Sequence, residues 1–187
     1  MIKAIFFDLD GTLVDTHRAN YVAYNKALND FGFDITYEDF QKSIGYQART
    51  FLPWFAPGLK EQDYEDIATK KAVYYKTAVS ESVANVHLID HLRYLKEYHK
   101  IVLVTTAKRG NAMAVLRHHD IQEHFDYIVT AEDVSSSKPS SECYELALKL
   151  CSIKPNEALA FEDSQPGVEA AEGIGIPVII INDFTAS

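Results

Sequence analysis

Ile5-Phe6-Phe7-Asp8-Leu9-Asp10-Gly11-Thr12-Leu13-Val14 is the stretch on which the fold turns. Ile2, Ala4, Ile5, Phe6 and Phe7 form an apolar run, the pattern of a strand buried on both faces. Asp8 and Asp10 follow at once, and Gly11 lets the chain bend. An unpaired carboxylate inside a packed core loses its hydration with nothing in return. Two of them at the C-terminal end of a strand therefore suggest a mouth, with a cation holding them together. Open α/β sheets bind ligands at that edge. Taken alone, the same residues read equally as a turn with solvated acids, since Asp-Gly is a common turn pair.

The 187 residues hold one domain of ordinary size plus a small insertion. Hydrophobic residues make up 47% and charged ones 24%, as in water-soluble globular proteins. A net charge of −9 argues against a nucleic-acid surface, which needs a basic stripe, and means that an anionic substrate must be met by local cations. No signal peptide is expected, because Lys3 is followed by only a short apolar run before Asp8. No apolar run approaches the ~20 residues of a membrane-spanning helix. Cys143 and Cys151 fall in phase with Leu146, Ala147 and Leu150 on one helical face and read as reduced core residues. The expected compartment is the cytoplasm.

Asp15 or Thr16 is placed to cap a helix over 17–31, with Ala19, Val22, Ala23, Ala27 and Phe31 on its apolar side. Helical patterning continues to about Ser82, interrupted at Gly32, at Gly45 and from Pro53 to Gly58. This is a small helical unit inserted after the first strand. From Val86 helices and strands alternate: a helix over 88–98, the strand Ile101-Val102-Leu103-Val104, a helix over 111–119 and the strand Tyr127-Ile128-Val129. The helix carrying the cysteines follows the loop Ser135-Ser136-Ser137-Lys138-Pro139. The strand Ala158-Leu159-Ala160-Phe161 runs into Glu162-Asp163, and Ser164 caps a helix that tolerates Pro166 in its first turn. Gly173 and Gly175 close that helix before a last strand over 178–181. Strands alternating with helices of about 10–15 residues predict an α/β fold, a parallel sheet with helices on both faces.

In such a sheet all strand C-termini lie at one edge, so Asp8, Asp10, Thr105, Glu162 and Asp163 converge although they are distant in sequence. The carboxylates repel one another unless a cation sits among them. Hard oxygen donors without His or Cys partners point to Mg2+. A dication with a hydroxyl and a lysine nearby suits phosphoryl transfer.

Asp8-Leu9-Asp10-Gly11-Thr12, the apolar strand into Thr105, Ser137-Lys138-Pro139 and Phe161-Glu162-Asp163-Ser164 together resemble the four motifs of the haloacid-dehalogenase (HAD) superfamily, in its order and at its spacings. The resemblance spans residues 5 to about 170. It implies a Rossmann-like core from residues 1–15 and 83–187, and a helical cap from residues 16–82 like that of phosphoglycolate phosphatase and β-phosphoglucomutase relatives. It also implies roles. Asp8 is the nucleophile that forms an aspartyl-phosphate, and Asp10 protonates the leaving oxygen and then activates water. Mg2+ is held by the Asp8 carboxylate, the Asp10 backbone carbonyl and Asp163, with Glu162 close by. Thr105 donates to a phosphoryl oxygen, and Lys138 balances charge on Asp8 and the phosphate.

Rival residues stand beside these. Adjacent strand residues point to opposite faces, so Thr105 or Thr106 serves, and Thr105 is the first after the apolar strand. Lys108 competes with Lys138, but Lys138 precedes Pro139 as the motif requires; Lys108 and Thr106 are then left to touch the substrate or solvent. Glu162 is either a metal-site residue or a structural partner. Arg49, after Gly45-Tyr46-Gln47-Ala48, is placed to clamp a second anionic group or to form a surface ion pair. Trp54 and Phe55 line the substrate space or belong to the cap core.

Asp10 argues against dehalogenase and phosphonate-hydrolase chemistry, because those relatives lack the second aspartate. The expected activity is a phosphatase acting on a small phosphorylated metabolite, a sugar phosphate or phosphoglycolate-like phosphomonoester. A β-phosphoglucomutase-like activity is weakened because Asn20 stands where those relatives place a His, with His17 one turn earlier. A non-catalytic phospho-ligand binder would have no use for Asp10 as an acid. Relatives continue past the last strand with more sheet and a helix, so a less covered sheet edge, or one covered by a partner, is expected there.

Overall fold

The structure is a computed structural model that describes residues 1–43, 46 and 48–182. Two compact units emerge, Met1–Asp15 with Val83–Ser187, and Thr16–Ser82. The chain begins with β1 (Ala4–Phe7) and the two-residue β2 (Val14–Asp15). It then enters the second unit, which consists of α1 (His17–Asn29), α2 (Tyr37–Gln41), α3 (Ala48–Phe55) and α4 (Glu61–Ala78). Ala27, Leu28, Ile35, Phe40, Phe51, Leu52, Ala56 and Ile67 form its core.

Two local details differ from the sequence reading. Helix α1 stops at Asn29, because Gly32 at φ +81° turns the chain out, and Leu28 rather than Phe31 completes its buried face. Pro53 lies inside α3 without ending it. It forfeits one N–H, while burial of Phe51, Leu52 and Ala56 holds the last turn together. The break read at Gly45 lies outside the described residues. Trp54 is half exposed and stacks edge-on against Tyr46, whereas Phe55 packs on the core of this unit.

The first unit resumes with β3 (Val83–Ala84), antiparallel to β2, and α5 (Val86–Leu95), whose first turn is capped by Asn85. Then come β4 (Lys100–Val104), α6 (Arg109–His118), β5 (Tyr127–Val129), α7 (Glu142–Cys151), β6 (Ala158–Glu162), α8 (Gln165–Glu172) and β7 (Val178–Ile180). The main sheet has the order β5-β4-β1-β6-β7, and every neighbouring pair is parallel. The β2–β3 ribbon leaves no signature in the sequence, because two residues per strand are too few to carry an alternation.

Alternation along β1 sends Ala4 and Phe6 to one face and Ile5 and Phe7 to the other. Phe6 joins Val102, Val104, Cys143, Tyr144, Ala147, Ala160 and Ala171 in one buried cluster, while the Phe7 ring stacks on Phe161 at 4.8 Å. The small Ala4, Ala158 and Ala160 let α7 and α8 approach the sheet. The cysteines are free thiols, Cys143 buried and Cys151 partly so. The α/β fold with a parallel sheet flanked by helices is therefore the one the alternating pattern called for. No described helix is long and apolar enough to cross a membrane.

Candidate active site

The register Phe7↔Leu103 and Phe7↔Phe161 carries β1, β4 and β6 to their C-terminal ends side by side. Asp8, Thr105 and Asp163 are the residues that follow those ends. The Asp8 N–H donates to the Phe161 carbonyl at 3.0 Å, extending the ladder by one rung and fixing the carboxylate over the sheet edge.

The turn after Asp8 is tight. The Leu9 carbonyl accepts from Leu13 and Val14 at 3.0 Å each, and Gly11 takes φ +90°. A Cβ on Gly11 would lie 2.1 Å from Asp163 Oδ2, so only glycine lets the turn close around that carboxylate. The Thr12 hydroxyl donates to Asp163 Oδ1 at 3.1 Å. Thr12 belongs to the quoted motif, yet its service to Asp163 is not legible before the fold brings β6 alongside β1. Asn85 braces the same turn from β3, with its backbone N–H on the Leu13 carbonyl and its amide on that of Thr12.

Lys138 is the hub. Its side chain is 3% exposed, and its ammonium donates to Asp8 Oδ1 at 2.7 Å, to the Val104 carbonyl at 2.9 Å and, very closely, to Glu162 Oε1. Glu162 is fully buried and also accepts from the Tyr144 hydroxyl at 2.7 Å. Asp8, Glu162 and Asp163 each offer a carboxylate oxygen within 4.8 Å of the others. Burial pushes the Asp8 carboxyl well above the usual carboxylate range; Lys138 pulls against this, and Glu162 and Asp10 add to it. Burial also raises Asp163, opposed by the Thr12 hydroxyl. At Lys138 burial works against the charge, but Asp8, Tyr144 and Glu162 overcome it and hold the amine protonated. One ammonium, bonded to Asp8 and Glu162, thus stands against a cluster of three carboxylates, which leaves a deficit of positive charge in a largely buried site. Hard oxygen donors with unmet negative charge fit Mg2+, not a soft metal.

Thr105 is buried, and its hydroxyl oxygen accepts the Ala107 N–H at 3.0 Å, so its own proton is free to be donated outward. Thr105 and Lys138 line one cavity of about 170 Å³ together with Thr106, Cys143 and the loop 134–137. Thr106 and Lys108 are exposed on the loop that starts α6. Arg49 lies in the other unit, where its guanidinium pairs with Glu61 over the Tyr64 ring. That unit has its own cavity of about 220 Å³, lined among others by His17, Asn20, Tyr24, Ser43 and Phe51. The Asn20 amide is turned back to the Thr16 carbonyl and hydroxyl, at 3.1 and 3.2 Å. Thr16 stands at the cap position of α1 but does not cap it with its side chain. Tyr144 and Ser164 hold Glu162; the sequence pattern does not single out Tyr144, and it marks Ser164 only as a helix cap.

Residues 5–181 match the family model described as haloacid dehalogenase-like hydrolase. A phosphorylated carbohydrates phosphatase of Thermotoga maritima is 30% identical over 178 residues, covering 94% of this chain and 82% of that protein. The crystal structure of CbbY from Rhodobacter sphaeroides in complex with phosphate superposes with a TM-score of 0.86 at 28% identity, over 100% of this chain and 89% of that one. β-Phosphoglucomutase from Clostridium difficile superposes with a TM-score of 0.77 at 25% identity, over 98% and 86%. With the family match running from β1 past β7, the chain is a member of the haloacid dehalogenase-like hydrolase family.

Proposed function

We propose that this chain is a Mg2+-dependent phosphatase of small phosphomonoesters, sugar phosphates first among them. The observation that carries the reading is the Lys138 ammonium bonded to Asp8 within a cluster of three carboxylates. The name of the Thermotoga maritima relative supports the substrate class.

In this reading Asp8 attacks phosphorus in line. An Asp8 oxygen–phosphorus bond forms as the bond to the leaving oxygen breaks, and Asp10 gives that oxygen its proton. A water then attacks the aspartyl-phosphate, Asp10 takes the water's proton, and Asp8 is released with inorganic phosphate. Thr105 donates its hydroxyl to a phosphoryl oxygen, and Lys138 favours the ionised form of Asp8 against its burial and offsets phosphate charge. Asp8, Asp163 and the Asp10 backbone carbonyl would hold Mg2+, with Glu162 adjacent. When bound, the ion supplies the positive charge that lets a carboxylate approach a phosphate. The Thr16–Ser82 unit acts as the cap that selects the leaving group and excludes water, with Arg49, Thr106 and Lys108 as candidate substrate contacts.

Phosphate release from an aryl phosphate, with and without Mg2+, tests the reading beside Asp8→Asn. Expected are Mg2+-dependent release by the parent chain and its loss in the variant by a factor of about 10³ or more. Undiminished activity in Asp8→Asn removes the nucleophile. Isomerisation of a hexose phosphate without phosphate release replaces the phosphatase by a mutase.

A further inference from the structure

Glu162 is enclosed on every side. Its Oε1 accepts both the Lys138 ammonium and the Tyr144 hydroxyl, the latter at 2.7 Å, and the Ser164 hydroxyl lies 3.3 Å from Oε2. A Cβ on Gly167 would meet the same carboxylate at 2.1 Å, so α8 presses close against it. Tyr144 is itself fully buried. Its ring stacks on Phe6 at 6.2 Å and presents a face to Lys138 Nζ, 5.3 Å from the centroid. An ammonium has three N–H donors, and those of Lys138 are all spoken for, by Asp8, Val104 and Glu162. The bond to Asp8 therefore keeps its direction only while the other two acceptors stay in place. The Val104 carbonyl is fixed by β4, whereas the Glu162 carboxylate sits at the end of a rotatable side chain, where the Tyr144 hydroxyl directs Oε1 and only the longer Ser164 contact holds Oε2. It also lies within 4.8 Å of oxygens of Asp8 and Asp163, so a competing position is at hand.

We propose that Tyr144 is a positioning residue. Its hydroxyl pins Glu162 as the partner of Lys138, and so sets the Lys138 ammonium on the Asp8 carboxylate. The inference rests on the phosphatase reading above for its kinetic consequence, but not for the contact itself. Tyr144 touches neither substrate nor metal in this scheme; it acts through Glu162.

Tyr144→Phe removes the hydroxyl and keeps the ring, its stack on Phe6 and its face toward Lys138. The variant is expected to lose about tenfold in kcat, as outer partners of a charged site typically do, with KM changed by no more than about twofold. Mg2+ affinity, titrated calorimetrically with the metal alone, is expected to hold or tighten, because Glu162 is freed toward the carboxylate cluster. In a double-mutant cycle with Glu162→Gln the hydroxyl's effect is expected to vanish, since the group it acts through has changed. An unaltered kcat, an equal loss of Mg2+ affinity, or losses that multiply independently in the cycle each overturn the proposal. Lys138 amine-proton exchange, read by NMR of the 15N-lysine-labelled metal-free protein, needs no turnover. It is expected to accelerate several-fold in Tyr144→Phe, and unchanged exchange overturns the proposal. A parent chain that releases no phosphate but shows this acceleration would sink the phosphatase reading and leave the Tyr144 assignment standing. Should Tyr144→Phe not fold, Glu162→Gln alone must reproduce the kcat loss, and an unchanged kcat there overturns the proposal.

Discussion

Replacing Lys138 by methionine keeps most of the side-chain volume and removes one charge from a site with little room for error. Two carboxylates, Asp8 at 7% exposure and Glu162 at 0%, would lose their shared ammonium, and the Val104 carbonyl would lose a donor. Taking one partner from a buried ion pair costs about 3–5 kcal/mol, most of it from the charge left behind. For a chain of this size each kcal/mol moves the melting point by about 2–4 °C, so the expected fall is roughly 6–20 °C. The cost depends on pH with a definite sign. Burial already raises the Asp8 carboxyl above its ordinary value of 3.8, so its contribution to folding is complete below that value and is lost as pH rises through the raised one. Lys138 is the group pulling Asp8 back down, and without it that window extends upward. The deficit of Lys138→Met should therefore be larger at about pH 8 than at about pH 5. Urea denaturation of both proteins in a metal chelator at the two pH values measures it. A variant within about 1 kcal/mol of the parent at the higher pH would refute the assignment of Lys138 as the charge hub, and so would a deficit that grows on acidification.

Gly11→Ala should cost about 1–3 kcal/mol for the backbone at φ +90° alone. Because the new Cβ points into Asp163, it should also weaken Mg2+ binding by about tenfold or more, measured by metal titration; unchanged affinity would show that Asp163 does not need the tight turn. Asp126 holds the start of β4, accepting the buried Ile101 N–H at 2.8 Å with Lys100 and Lys96 nearby. Burial acts to raise its carboxyl, but that N–H and the two lysines outweigh it and hold the group below its ordinary 3.8. Its contribution is present above that value and lost as pH falls through the lowered one. Asp126→Ala should cost about 1–2 kcal/mol at neutral pH in chemical denaturation, a gap that narrows in acid; a gap independent of pH would mean that the charge contributes nothing.

The central strands were legible because burial on both faces leaves an uninterrupted apolar run, as in Ile5-Phe6-Phe7 and Ile101-Val102-Leu103-Val104. Polar residues at the ends of such runs could be assigned to one edge from parallel topology alone. That reasoning reaches position and stops short of partnership. Nothing in Glu162-Asp163 says that the first carboxylate turns inward to a lysine and a tyrosine while the second meets Thr12. Tyr144 falls in phase with Cys143, Ala147 and Leu148, so its ring reads as core, and the hydroxyl at its tip finds its acceptor only through tertiary packing. The pattern overruns the end of α1 for a related reason: periodicity continues into Phe31, but the left-handed turn at Gly32 decides where the helix stops.

The strand that bears Asp8 occupies the middle of the sheet, with β4 and β6 bonded to its two sides. Opening that frays β5 or β7 at the margins leaves it paired on both edges, so the amides of Ile5, Phe6 and Phe7 should exchange with deuterium only when the whole unit unfolds. The same placement makes assembly slow, because both of its neighbours come from far along the chain and their loops must close first. An early, partly collapsed form of this protein would thus be unable to gather its acidic residues, and reactivity would arrive together with the last cooperative step of folding.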